Sequence, residues 1–404
     1  MEHQSRISRR MSQSAVIQAI ANYGPTSRAS VAKQTGLSKQ TVSEIVANLE
    51  AEGWVRVVGQ TEGNIGRRAV VYEISPSAAT IASVDLGGTK VRVALCDLTG
   101  KVLAERVEPT SHEGGISIVD QIVRLIRAST DAPDSNFGEL RIAVVGVPGV
   151  PEAETGAVLM APNIAGIDQI DLAGSLQDRL GVEVFVENDV NLAALGEHWL
   201  GNPGDTDDLV FISVGTGIGA GIVVGGNLLR GSTGGAGEIG FLPFGADPFE
   251  QESLEVGAFE RVSATKAIID LYASKSGQTA DVPSIFEAAN AGDAAALTTL
   301  DEVAKQISRG AAALVAVVDP SAIVLGGSIG IREELLERVR RYMAMCCPKP
   351  FEIEKSRLGD HAALAGGASV ALTHLHLSLF AEGQKGAEIS VPPPDIAYFK
   401  AGAS

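Results

Sequence analysis

Apolar positions in the first fifty residues recur at helical spacing in three blocks. Val16, Ile17 and Ile20 share one face of a helix predicted over 12–22, which Tyr23-Gly24-Pro25 ends. Thr26 and Ser27 are placed to cap a second helix through Thr35, and Ala32 and Gly36 supply the small residue and turn glycine of a helix-turn-helix. In LSKQTVSEIVANLEAEGWV, Ser38 is the N-cap and Val42, Ile45, Val46 and Leu49 line the buried side. The pattern then changes period. WVRVVG and RRAVVYEIS alternate as strands around QTEGNIG, a hairpin.

From Ile81 the chain reads as short strands broken by glycine-rich turns. Strands are predicted at 81–85, 91–96 and 102–106, a helix at 116–130 and a strand at 141–147. A helix at 175–180, a strand at 182–187 and a helix over 189–200 follow. The order then repeats, with strands at 209–214, 219–224 and 227–230, helices through 256–318 and a strand at 322–325. Two successive β-β-β-α-β-α units predict a two-lobed α/β body, with a ligand cleft between the lobes. The expected division is a head over 1–76, a first lobe over 80–200 completed by a C-terminal helix near 366–381, and a second lobe over 201–365. The Pro/Gly-rich 384–404 is expected to be a loosely ordered tail.

Composition narrows the class. The chain has 404 residues, of which 45% are hydrophobic and 20% charged, an ordinary globular balance. Its longest apolar runs, such as 311–318, fall far short of the roughly 20 residues of a membrane span. The opening MEHQSRISRRMSQS has no apolar stretch behind its basic residues, so no secretory signal is expected. Three cysteines, two of them adjacent (Cys346 and Cys347), cannot build a disulfide framework, and the cytoplasm is the expected location. Net charge is −17, yet residues 1–75 hold nine basic against six acidic side chains. A mildly basic head on an acidic body fits a head that meets DNA phosphates.

That head is expected to bind double-stranded DNA as a winged helix-turn-helix. Ser38, Lys39, Gln40, Thr41 and Ser43 stand at the start of the recognition helix, the end that enters the major groove, where Lys and Gln reach base edges. Arg67 and Arg68 fall where a wing meets the backbone or minor groove. The bland alternative is a small helical packing module, which capping, wing and charge together disfavour.

In the body, DLGGTK brings Asp85, Gly87, Gly88, Thr89 and Lys90 into one turn suited to phosphate oxygens, with Asp85 facing a magnesium ion or its water shell. Gly215, Thr216 and Gly217 of GTGIG open the second lobe in the same way. Gly326 and Gly327 end a later strand, suited to lie against a nucleobase or ribose. Between these hairpins, Asn163, Asn188, Asp189, Glu238 and Glu255 suit a hydroxyl-rich ligand. Asp189, at a strand-to-helix junction, suits the base that takes a proton from a sugar hydroxyl attacking a γ-phosphate. A helix-capping role is its structural alternative.

DLGGTK, GVPG, PN, END, GTGIGAG, GGAGEIG and LGGSIG occur here in the order of the ROK family (repressors, open reading frames and kinases), which residues 80–375 resemble. The resemblance implies an actin-like ATPase, or sugar-kinase, fold. The added head resembles the branch with the xylose and N-acetylglucosamine repressors. It implies that Asn163, Asn188, Asp189, Glu238 and Glu255 bind sugar, with Asp189 the base in kinase members. Members follow GE-x-G with a histidine that touches sugar and helps hold zinc; here that position is Phe241. Their CxCGxxGCxE segment is replaced by FGADPFEQESLE, without cysteine, so no zinc is expected and Glu255 is aligned with the final glutamate. The expectation is a ligand-controlled regulator of carbohydrate genes, a homodimer or higher oligomer, with a sugar or sugar derivative bound between the lobes. An ATP- and magnesium-dependent sugar kinase of glucokinase type, and a nucleotide-sensing regulator without phosphoryl transfer, remain the alternatives.

Overall fold

The computed structural model describes residues 2–60, 69–130, 137–152, 155–161, 163–201, 206–347, 349, 351–380 and 399. The head comprises α1 (Glu2–Tyr23), β1 (Thr26–Ser27), α2 (Arg28–Thr35), α3 (Lys39–Ala51), β2 (Val55–Gln60) and β3 (Val70–Ile74). It is a winged helix-turn-helix. α1 starts at Glu2 rather than 12, because Glu, Gln, Arg and Met are good helix formers and extending a helix is cheaper than nucleating one. The Ser27 side chain accepts from Ser30 N and caps α2, which Gly36 closes in a left-handed conformation. Thr26 and Ser27 also form β1, pairing with Tyr72 and Val71 in a three-stranded sheet ordered β1-β3-β2. A strand of two residues has no readable period. The expected wing tip, with Arg67 and Arg68, lies outside the described residues.

The chain divides into two compact units, residues 1–145, 162–186 and 367–404 against 146–161 and 187–366. The first unit therefore joins the head to the first sheet. β4 (Thr80–Leu86), β5 (Lys90–Asp97), β6 (Val102–Pro109), α4 (Ile116–Thr130), β7 (Leu140–Val147), β8 (Val150–Pro151), β9 (Val158–Leu159), α5 (Leu172–Leu180) and β10 (Glu183–Asn188) follow the head. The first large sheet runs β10-β7-β4-β5-β6. β4, β5 and β6 form the predicted antiparallel meander, and Ile118, Ile122, Leu125 and Ile126 bury one face of α4. No slack separates head from sheet. Ser75 N donates to Trp54 O at 2.9 Å, and Thr80 donates through N to Glu139 O and through Oγ1 to Gly138 O.

Besides β8 and β9, the second unit contains α6 (Asp189–Gly196), β11 (Leu209–Val214), β12 (Ile218–Val224), β13 (Asn227–Leu228), α7 (Gln251–Val256), α8 (Glu260–Ser263), α9 (Thr265–Ser276), α10 (Val282–Asn290), α11 (Ala294–Val318), β14 (Ala322–Gly326), α12 (Gly327–Gly330), α13 (Glu333–Cys346) and β15 (Ile353–Lys355). α14 (Ala362–Phe380) begins here and continues into the first unit. The sheet is ordered β13-β12-β11-β14-β15, antiparallel from β13 to β11 and parallel from β11 to β15. Phe259, Phe286, Leu300, Ile307 and Val339 are fully buried around it.

The helix predicted over 189–200 keeps α-geometry only to Gly196, and a π-helical turn follows over Glu197–Gly201. The added residue per turn lets the buried Glu197 carboxylate accept from Leu358 N at 3.0 Å and from Ser356 Oγ.

Leu49 is fully buried on the inner face of α3. Leu49→Ala should lower unfolding free energy by about 2–5 kcal/mol in urea denaturation, with little change in the slope against denaturant.

Candidate functional site

The start of α3 is built by its cap. Ser38 Oγ accepts from Thr41 N at 3.1 Å and shares a 2.8 Å bond with the Thr41 hydroxyl. These two side chains are therefore engaged in the helix, while Lys39 and Gln40 are exposed beside it. Ser43 is half-buried. Gln40 Nε2 donates to Glu44 Oε1 at 3.2 Å, a bond that must open for Gln40 to read a base. Asn48 is exposed two turns on, on the same side as Gln40 and Glu44; the sequence reading stopped short of it.

In the first unit, the DLGGTK turn is tight. Gly87 N donates to Lys90 O at 3.0 Å, and a Cβ on Gly88 would lie 2.9 Å from Asn163 Cβ. Thr110 holds the turn from behind, donating through Oγ1 to Gly87 O at 2.6 Å and through N to Thr89 O at 3.1 Å. Thr89 and Lys90 are left exposed. Asp85 stands opposite Arg92 in the β4–β5 register, and Arg92 is buried, with Nη1 3.9 Å from Glu105 Oε1. A cation already stands across from the carboxylate that would face magnesium.

In the second unit, the other two glycine turns meet. Gly215 N donates to Gly217 O at 2.9 Å, and Gly215 O accepts from the Thr265 hydroxyl at 2.8 Å. A Cβ on Gly215 would lie 3.3 Å from Ser328 Oγ, and one on Gly327 would lie 2.4 Å from Val214 O. GTGIG and LGGSIG thus form one small-residue surface, from which Thr216 is exposed.

The same unit brings Asn188, Asp189 and Glu238 onto neighbouring segments. Asn188 caps α6, its Oδ1 accepting from Asn191 N while Nδ2 donates to Gly149 O, both at 3.0 Å. Asp189 Oδ1 accepts from Val190 N at 2.8 Å. Glu187 fixes this junction. Its carboxylate accepts from Asn188 N, Asn191 Nδ2 and, at 2.7 Å, Arg230 Nε. Arg230 O in turn accepts from Ala236 N and closes the loop that leads to Glu238. Glu238 is half-buried, its carboxylate has no hydrogen-bond partner among the described residues, and burial holds its pKa above the usual carboxylate range.

Two expected residues stand on other segments. Asn163 belongs to the first unit, under Gly88. Glu255 is exposed on α7, and its carboxylate accepts from Gln251 Nε2 at 2.8 Å. The acid that sequence reading missed is Glu260. Its Oε2 accepts from Ile218 N at 2.9 Å, under the GTGIG turn. Burial raises its pKa, and the nearby Glu238 charge raises it further.

The ROK family profile matches residues 81–374, and the MarR family profile matches residues 7–63. The chain belongs to the ROK family. It is 29% identical to the xylose repressor of Caldicellulosiruptor bescii, over 89% of this chain and 95% of that protein. It is 28% identical to the DNA-binding transcriptional dual regulator NagC of Escherichia coli, over 81% and 83%. The ROK hexokinase structure from Thermus thermophilus aligns at a TM-score of 0.63 with 30% identity, covering 73% of this chain and 99% of that one.

Within the ROK frame, Gly257-Ala258-Phe259-Glu260 keeps the G-x-x-E ending of the family's cysteine segment, with Ala258 in place of a cysteine. That spacing was the available signal for Glu260. Phe241 takes the histidine position and is 39% exposed, so an aromatic face replaces a polar contact close to Glu238. Among the described residues no group of three or more His, Cys, Asp or Glu side chains could hold a metal ion.

The raised Glu238 pKa has a stability consequence. The fold favours the protonated acid, so this contribution is full below the ordinary value of 4.5 and lost as pH rises through the higher folded value. Glu238→Gln should therefore melt higher than wild type at pH 7, with the gap closing toward pH 4. A gap of constant size across a melting series from pH 4 to 8 would exclude burial of the charge as its cause.

Proposed function

We propose that this ROK chain is a DNA-binding transcriptional repressor of carbohydrate-metabolism genes, released or engaged by a sugar or sugar derivative. The observation that carries the ligand half is Glu238: a half-buried carboxylate without a hydrogen-bond partner among the described residues, on a loop tied through Arg230 and Glu187 to Asn188 and Asp189. Desolvating an acid costs free energy that a ligand hydroxyl recovers by donating to it. Glu260 replaces Glu255 as the further acid of this site, next to Glu238. Asn188 is already committed to Gly149 O and Asn191 N, so its part is to hold the junction while Asp189 and Glu238 meet the ligand. Phe241 adds an apolar wall, which suits a sugar carrying an apolar substituent or presenting a ring face.

The DNA half rests on the capped start of α3, with Lys39 and Gln40 exposed, and on the names carried by the relatives. Xylose and N-acetylated sugars therefore head the effectors to test. The protein works in the cytoplasm as a symmetric oligomer on a palindromic operator. Zinc is not part of the site.

A second reading, sugar kinase, is favoured by the three glycine turns together with Asp189 at the head of α6. Arg92 opposite Asp85 weighs against it. Asp85, Thr89 and Lys90 would bind ATP phosphates in that case, with Gly326 and Gly327 beside the nucleoside.

The test of the regulator is retention of fragments from the gene's own upstream region at low salt, with and without a sugar panel. Gln40→Ala should relax sequence preference, and Arg67→Ala should weaken all sequences alike. Failure to retain any fragment would refute the DNA reading. For the kinase reading, Asp189→Asn keeps shape and should cut any ATP-dependent sugar phosphorylation by about 10²–10⁴-fold. Wild-type turnover of ATP that this substitution leaves intact would remove Asp189 from the chemistry.

A further inference from the structure

The segment FGADPFEQESLEVGAFE, residues 244–260, has none of the cysteines of its family, yet it folds back on itself. Ala246 N donates to Ala258 O at 3.2 Å, and Phe259 N donates to Gly240 O at 3.0 Å. The Phe244 and Phe259 rings meet with centroids 5.1 Å apart. Its other large apolar side chains add little to this closure, since Phe249 is 90% and Leu254 63% exposed. Polar groups take their place. Arg261 Nη1 donates to Glu250 Oε2 and to Oγ of the buried Ser253, both at 2.6 Å, and Nη2 lies 2.9 Å from Glu252 Oε2. Lys266 adds a second cation, 3.5 Å from Glu252 Oε1 and 3.1 Å from Asp270 Oδ2. One side chain of α8 thus holds both α7 and the residue before it.

We propose that the Arg261 guanidinium is the staple of this segment, gathering Glu250, Glu252 and Ser253 in place of the zinc that the family's histidine and cysteines imply, and that it thereby positions Glu260 in the candidate site. A structural metal works by drawing donors from separated positions onto one cation. The guanidinium does the same with a fixed fork of N–H groups, meeting two carboxylates and a hydroxyl. Each ion pair alone is worth little, because both carboxylates are about half exposed. Three partners on one guanidinium act together. The chain neighbour of Arg261 is Glu260, whose carboxylate accepts from Ile218 N at 2.9 Å and lies 2.6 Å from where a Cβ on Gly217 would be. Behind it Gly257, at a φ of 100°, rests against Gly240 O, which a Cβ would approach to 2.2 Å. α8 is therefore held between α7 and the GTGIG turn. Arg261 is a positioning residue, acting on the site through Glu260.

The test is hydrogen–deuterium exchange of the unliganded full chain, read by mass spectrometry with the β4–β6 meander as internal reference. In wild type, peptides over 241–264 should keep their protection in EDTA and exchange about threefold faster in 1 M sodium chloride, where charges are screened beyond about 3 Å. Arg261→Ala should speed exchange over 241–264 by about tenfold and carry the Ile218 amide with it, because Glu260 covers that amide. Arg261→Lys keeps the charge without the fork and should restore part of the protection at both places. Circular dichroism should show both variants folded; if Arg261→Ala unfolds, the wild-type response to EDTA and salt decides. Protection that EDTA removes, or that neither salt nor Arg261→Ala alters, would overturn the staple. An Ile218 amide that stays protected while 241–264 opens would overturn the positioning of Glu260.

Discussion

The candidate ligand site depends on one constraint: the backbone of α6 must lie directly on its neighbours. A Cβ on Gly221 would fall 2.5 Å from Ala194 Cβ and 2.6 Å from Val190 O, and one on Gly366 would fall 1.8 Å from Leu192 O. One on Gly196 would fall 2.1 Å from Ala362 O. α6 is thus clamped between β12 and the start of α14 by positions where no side chain fits. Because the helix cannot tilt, its first turn holds Asn188 and Asp189 at a set height above β12. The loop to Glu238 is referred to the same strand, since Ala220 N donates to Gly237 O at 2.8 Å. The Arg230–Glu187 pair then ties loop and helix together, an exposed ion pair whose worth lies in geometry more than in free energy.

The acids of this unit set function against stability. Glu197, Glu238 and Glu260 are all held above the usual carboxylate range, chiefly by burial. Glu197 is compensated by donors from the 356–358 loop, and Glu260 by Ile218 N. Glu238 alone among the three lacks such compensation within the described residues. Uncompensated burial of a carboxyl is costly, and sites that bind ligands are where such costs concentrate.

Much of this was legible in the sequence, for reasons that differ by element. The three helical blocks of the head, the β4–β6 meander and the strand-to-helix junction at Asn188 were readable because period and capping are local properties. β1 was not, since two residues carry no period and its existence depends on Tyr72 and Val71, forty-five residues away. Nor was the π-helical turn at Glu197, which exists to satisfy a buried carboxylate with donors from Ser356 to Leu358. The alignment of Glu255 rather than Glu260 with the family's final glutamate has another origin. Loss of the cysteines removed the landmarks of that segment, and only G-x-x-E spacing remained to align it. Packing separates the two acids at once, one exposed against Gln251 and one under a glycine turn.

The intact glycine motifs have a structural explanation that does not require catalysis. Gly87 turns back on Lys90 O, Gly88 rests on Asn163, Gly217 lies against the Glu260 carboxylate and Gly326 against the Phe211 ring, where a Cβ would be 2.2 Å away. Gly327 needs both its positive φ of 78° and the space beside Val214. Substituting these glycines would displace neighbouring elements whether or not a phosphate ever binds. A chain that gave up phosphoryl transfer would therefore be held to the same motifs by its own packing. Residues that differ from the family's pattern are more informative about chemistry, and here they are Phe241 for histidine and Ala258 for cysteine. Both positions belong to the family's zinc segment, where this chain keeps neither a histidine nor a cysteine.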